Sequence, residues 1–193
     1  MATLDYWNDV GTEKELWAKL VGKGEEDKAE TQRQAERIFS GVTGRFCLEI
    51  GCGTGRLMKY ATYNFNHVYG VDWSEKIIEL GPKTEKHMTR ILTDGWSLPF
   101  PEGMFDFVYS FTCFQHMEQL EMIQSNLREI YRVMKSGSEV LIQTVRGSNE
   151  PGRHDGYVFA SPESFFREFM LARFSKAYRC VVEDEWMWMR ATK

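Results

Sequence analysis

The sequence predicts a doubly wound α/β domain of seven strands preceded by helices, on three observations. A β-prone apolar run, Phe46 to Ile50, breaks into the turn Gly51-Cys52-Gly53-Thr54-Gly55 and continues into a helical pattern at Leu57, Met58, Tyr60 and Ala61. A second apolar run, His67 to Val71, ends in Asp72-Trp73-Ser74, which places an acidic residue about 20 positions past the turn. Apolar runs and helical patterns then alternate down the chain, as βα units require.

Residues 1–40 are polar and read as a helical extension of a main domain at 41–193. Thr12 followed by Glu15 fits a capping box for a helix carrying Leu16, Trp17 and Leu20. Gly22-Lys23-Gly24 breaks it, and a second helix is expected from about Glu25 to Phe39. Tyr6, Trp7 and Trp17 are large for so polar a segment. Two roles are open for them: a lid whose rings touch substrate, or pins that hold the helices to the body.

The first strand and the glycine turn should lead into a helix over about Gly55 to Tyr63. Such a turn lets a ligand approach main-chain atoms closely, and the helix start offers N–H groups. The second strand is His67 to Val71, and Ser74 caps a helix carrying Ile77, Ile78 and Leu80 that stops at Gly81-Pro82. The third strand is Met88 to Thr93 and the fourth is Phe105 to Ser110. A helix from about Leu120 to Met134 carries Ile123, Leu127, Ile130, Tyr131 and Met134 at core spacing, with Ser136-Gly137 as its stop. The fifth strand is Glu139 to Val145. Ser161-Pro162-Glu163 opens a further helix. Two terminal strands follow, about Ala177 to Glu183 and Glu185 to Thr192. The second has Trp186 and Trp188 alternating with Met187 and Met189, so it is apolar on both faces and suits the sheet interior.

Polar signals gather at the strand ends. Asp72 offers only acceptors, which suits the paired hydroxyls of a ribose, and Trp73 can lie against an adenine face. Asp94 can accept from an exocyclic amine while Gly95 or Trp96 donates to a ring nitrogen. Past the fourth strand, His116 can serve as a general base, or as a histidine bonded to the backbone at a helix end. The loop 146–160 carries Arg153 and His154, and two readings are open: their charge can meet an acidic substrate, or the loop is simply solvated.

The glycines at Gly51, Gly53 and Gly55 do not fit G-x-G-x-x-G, because Arg56 fills the last slot. With Glu49 they read E-x-G-x-G-x-G. The run from Asp94 through Leu98-Pro99-Phe100-Pro101 to Phe105-Asp106-Phe107-Val108 reads D-x-x-x-L-P-F-P-x-x-x-F-D-x-V. Together these motifs resemble the class I S-adenosylmethionine-dependent methyltransferases, in the small-molecule (type 11) branch, over roughly Arg45 to Val145. The resemblance implies the strand order 3-2-1-4-5-7-6 with the seventh antiparallel. It implies S-adenosyl-L-methionine as cofactor. Glu49, Gly51 and Gly53 would line the methionine end and Asp72 the ribose, with Cys52 and Trp73 as further cofactor contacts, and Asp94, Gly95 and Trp96 would hold the adenine. Ser110 and Phe111 would meet the amino-acid portion.

The implied reaction is methyl transfer to a small-molecule acceptor by direct in-line displacement. Protein or RNA acceptors, a non-catalytic cofactor-binding subunit and a nicotinamide oxidoreductase are the alternatives. A formal net charge of −4 argues against broad capture of nucleic-acid backbone, and no DNA partner is expected. No apolar run approaches the roughly 20 residues of a membrane span. The opening residues, with Asp5, Trp7 and Asp9, lack the form of a signal peptide, so a cytoplasmic monomer or homodimer is expected. Cys47, Cys52, Cys113 and Cys180 form no C-x-x-C pair, so buried free thiols and no metal site are expected.

Overall fold

The protein is described by a computed structural model covering residues 6, 7, 9, 24–82, 85–117, 119–145, 162–183 and 186–193. Helix α1 (Gly24–Phe39) precedes strand β1 (Gly44–Ile50), the short helix α2 (Met58–Ala61), β2 (Phe65–Asp72), α3 (Glu75–Leu80), β3 (Met88–Leu92) and β4 (Phe105–Phe111). A single 3-10 turn (Phe114–His116) leads to α4 (Leu120–Val133), β5 (Met134–Val145), α5 (Pro162–Leu171), β6 (Lys176–Glu183) and β7 (Trp186–Thr192). The expected helix around Leu16 and the loop 146–160 lie outside the described residues.

The strands form one sheet in the order β3-β2-β1-β4-β5-β7-β6. The first five strands pair in parallel, and β7 runs antiparallel to both β5 and β6. Strand order reverses between β1 and β4, where Leu48 faces Val108 in register. An open crevice at the carboxyl ends of strands is expected at such a switch point.

Period-2 alternation in the central strands divides the core into two layers. Leu48, Ile50, Val108, Val140, Ile142, Met187 and Met189 pack with Ile123, Leu127 and Ile130 of α4 and with Phe165 and Phe169 of α5. On the opposite face, Cys47, Phe107, Tyr109, Leu141 and Trp188 pack with Ala35, Ile38 and Phe39 of α1 and with Met58 and Ala61 of α2. The two apolar faces of β7 are thus each taken by one layer. Arg37 of α1 pairs with Glu183 and stands 4.1 Å over the Trp188 ring, which ties α1 to the C-terminal strands.

Several strand ends shift by one or two residues from the sequence expectation, and two helix boundaries differ for a local structural reason. Gly55 sits at φ +86°, so α2 starts only at Met58. Helix α4 stops at Val133, and Met134 is already extended at φ −74°, ψ 146°. Ser136-Gly137 therefore lies within β5. There the register slips: Phe105 faces Met134 while Phe107 faces Glu139, and Gly137 at φ +79° accommodates the extra β5 residues.

Asp106 pins the base of the sheet. Its Oδ2 accepts from the Arg45 and Phe46 amides at 2.9 and 2.8 Å, and its Oδ1 pairs with Lys135. Those bonds outweigh burial and hold the carboxyl below its ordinary value. Stability from Asp106 is therefore present above the ordinary pKa and fades as pH falls through the depressed one. Asp106→Ala is expected to cost about 1–3 kcal/mol in urea unfolding at pH 7.

Candidate functional site

A cleft of about 150 Å³ opens at the switch point. Its floor is the end of β1 and the glycine turn: Glu49, Ile50, Gly51, Cys52 and Gly53. Asp72 and Trp73 from the tip of β2, and Thr93, Gly95 and Leu98 beyond β3, form one wall. Phe111 at the end of β4, Thr112, Cys113, His116 and Met117 beyond it, and Trp7 form the other.

The floor is bare because it must be. Gly51 sits at φ +72°, and a Cβ there would stand 2.3 Å from the Cys113 Sγ. Gly53 lies at φ +53°. Four of the turn's five amides are bonded within the protein. Gly51 and Cys52 both donate to the Val71 carbonyl at 2.9 Å, Gly55 donates to Cys52, and Gly53 donates to Asp72 Oδ2 at 2.8 Å. Arg56 and Leu57, at the start of α2, also line the cleft. The turn's contribution is space for close approach, with its shape locked by β2.

Asp72 joins the floor to the wall. Oδ2 takes the Gly53 amide, and Oδ1 takes the Ser74 amide at 3.0 Å. Burial raises its pKa and outweighs the Ser74, Gly53 and Trp73 amides. A carboxylate has about four lone-pair sites, so these amides still leave acceptor capacity for a ligand hydroxyl.

Glu49 is 3% exposed, and Tyr109 Oη donates to its Oε2 at 2.9 Å. Burial pushes its pKa up to about 8, against the Tyr109 bond and the Arg56 charge, which lower it. Its carboxyl is therefore mainly protonated near neutral pH.

Three expected cofactor residues stand off the cleft wall. Asp94 is exposed, and its Oδ1 accepts from the Trp96 and Ser97 amides at 2.8 Å each. The Ser97 and Trp96 amides hold its carboxyl below the ordinary range. Asp94 shapes its own turn, and the Trp96 amide is spent on it. Trp96 is 42% exposed and is not a lining residue. Ser110 is buried, with its hydroxyl donating to the Ile50 carbonyl at 2.9 Å. Its neighbour Phe111 does line the cleft.

Trp7 lies edge-on to His116 with ring centroids 4.8 Å apart, and Tyr6 packs behind it at 5.2 Å without lining the cleft. Arg153 and His154 lie outside the described residues.

Sequence reasoning missed Arg56, Thr112, Met122 and Asn126 as lining residues. Asn126 is 4% exposed, and its Nδ2 donates to the Gly95 carbonyl at 2.7 Å. A polar residue within the apolar stripe of α4 was the available signal. One turn on, Glu129 accepts from the Leu98 amide at 2.9 Å, and Arg132 donates to the Leu98 and Phe100 carbonyls at 2.9 and 2.7 Å. Helix α4 thus clamps the Leu98-Pro99-Phe100 segment. Asn126→Ala is expected to lower stability by about 1 kcal/mol in urea unfolding.

Thr112 sits at φ +53° beside Gln143, whose Oε1 accepts its amide at 2.9 Å. Among the described residues, no group of three or more His, Cys, Asp or Glu could hold a metal ion, and no helix is long and apolar enough to cross a membrane.

Residues 48–142 match the family model described as Methyltransferase domain, type 11. All of the cleft wall except Trp7 falls inside that span. The O-methyltransferase rstn1 of Aspergillus nomiae is 30% identical over 119 residues, covering 58% of this chain and 51% of the relative. The demethylmenaquinone methyltransferase of Staphylococcus saprophyticus is 26% identical over 154 residues, covering 77% and 62%. The chain thus spans between half and two thirds of the length of these two relatives. Phosphoethanolamine N-methyltransferase 2 of Haemonchus contortus, solved with S-adenosylhomocysteine, superimposes with a TM-score of 0.75 at 16% identity. That match covers 98% of this chain and 58% of the other. The fold order, the position of the switch-point cleft and these matches agree: the chain belongs to the type 11 branch of the class I S-adenosylmethionine-dependent methyltransferases.

Proposed function

We propose that this chain transfers a methyl group from S-adenosyl-L-methionine to a nucleophilic atom of a small molecule by in-line displacement. The observation that carries the reading is the shared cleft. A side-chain-free floor at Gly51 and Gly53, the Asp72 carboxylate and the buried Glu49 carboxyl all face one space. These residues fit the donor. The bare floor admits its backbone, Asp72 would accept from the ribose hydroxyls, Trp73 and Gly95 would flank the adenine, and Glu49 would face the amino-acid ammonium.

The donor supplies a methyl carbon already activated by a sulfonium. The protein's task is alignment and exclusion of water, which can supply roughly 7–11 kcal/mol. Phe111, Met117 and Trp7 give that end of the cleft an apolar wall. His116 faces the same space and would take the acceptor's proton where the acceptor must lose one.

Asp72→Ala is expected to weaken S-adenosylhomocysteine binding by about tenfold or more, because charge-assisted bonds are lost and the Gly53 amide loses its anchor. Isothermal calorimetry reads this directly, and an unchanged affinity would remove Asp72 from the ribose role. The acceptor class is tested by incubating the protein with isotopically labelled donor and a cell extract separated into metabolites, RNA and protein. Label in the metabolite fraction is expected. Label confined to RNA or protein would overturn the small-molecule reading.

A further inference from the structure

Arg56 follows the last glycine of the turn, and its side chain lines the cleft. Its Nη1 donates to Thr31 Oγ1 at 2.7 Å and to Gln34 Oε1 at 2.9 Å, both on α1. Its guanidinium carbon stands 5.8 Å from the centroid of the Phe111 ring, itself a lining residue. Two elements distant in sequence therefore hold one cation at the cleft wall. Among the described lining residues, Arg56 carries the only permanent positive charge, and Glu49 and Asp72 are the carboxyl groups. The charge of Arg56 is felt at Glu49.

This arrangement has the form of a receptor for a zwitterion. The donor ends in an amino acid, with an ammonium and a carboxylate on one carbon. Glu49 suits the ammonium. The carboxylate calls for a planar fork of N–H donors, which a guanidinium supplies and an ammonium side chain does not. We propose that Arg56 binds the carboxylate of the donor's amino-acid end, and that α1, through Thr31 and Gln34, belongs to the donor site. The proposal rests on reading the cleft as a donor site. It gives the N-terminal helix a role that packing alone does not: α1 sets the direction of the fork before the ligand arrives.

The test compares two ligands that share the adenosine and differ in the amino acid. S-adenosylhomocysteine carries it, and 5′-methylthioadenosine does not. Calorimetric titration of the full chain is expected to show Arg56→Ala weakening the first by at least about tenfold, the value of a charged hydrogen bond. Binding of the second should stay within about twofold, as expected for a residue that does not touch the adenosine. Arg56→Lys keeps the charge without the fork, and a smaller but selective loss is expected. It also carries the test if thermal melting shows that the alanine variant is unfolded. Equal losses for both ligands, or no loss for either, would overturn the role of Arg56. Wild-type protein that bound neither ligand would overturn the reading of the cleft itself, a separate outcome visible before any variant is made.

Discussion

Gly51→Ala is expected to destabilise the protein by about 2–5 kcal/mol and to weaken donor binding by more than about a hundredfold. Two costs add. The backbone at φ +72° strains any residue with a Cβ. The new methyl would also stand 2.3 Å from the Cys113 Sγ and 2.5 Å from its Cβ, and the latter cannot swing aside without moving the backbone beyond β4. Relief of that overlap would push the turn away from Cys113, breaking the paired amide bonds to the Val71 carbonyl and tilting the cleft floor. Chemical denaturation and calorimetry measure the two effects separately. A variant with wild-type stability and affinity would show that the floor tolerates a side chain, and that the turn is not what admits the ligand.

Donor binding is expected to release a proton, through Glu49. Burial raises this carboxyl to about 8 from its ordinary 4.5. Between those values the folded, ligand-free chain holds a proton that the unfolded chain has lost. The stability of the ligand-free protein therefore falls as pH rises across that window, which is the reverse of a salt-bridged carboxylate. A cationic ammonium beside Glu49 would pull the pKa back down. Affinity for S-adenosylhomocysteine should consequently rise between pH 6 and pH 8, with a limiting slope of about tenfold per pH unit, and flatten above. Calorimetry in buffers of different ionisation enthalpy should show up to about one proton released near pH 6.5. Glu49→Gln removes the titrating group without changing its size, so both the proton release and the pH slope should vanish. A slope that persists in that variant would assign the linkage to another group.

The fold was legible because its determinants are local. The alternation of Trp186 and Trp188 with Met187 and Met189 marked a strand apolar on both faces, and β7 lies between β5 and β6. The place of Asp72 in the cleft was legible because a residue at the tip of the second strand lies beside the glycine turn of the first. The roles of the amides were not legible. Sequence spacing shows where N–H groups occur but not that the Val71 carbonyl, brought alongside by parallel pairing, would take two of them. The local bonding of Asp94 was not legible for a related reason. An aspartate can accept from amides two and three residues ahead, and Asp94 does so with Trp96 and Ser97. The serine three residues on was the signal for that turn. Arg56 and Asn126 were hidden in a different way. Each lies in a helical or turn context where a polar residue usually faces solvent, and only the packing of α1 and the 93–98 loop turns them to the cleft.

The central claim is that the switch-point cleft is built for an adenosyl amino acid and not for a dinucleotide. The most direct test is calorimetric titration of the purified wild-type chain at pH 8 with S-adenosylhomocysteine and, in parallel, with NADH. The account predicts saturable one-site binding of S-adenosylhomocysteine and no heat from NADH. Saturable binding of NADH with none of S-adenosylhomocysteine would contradict it.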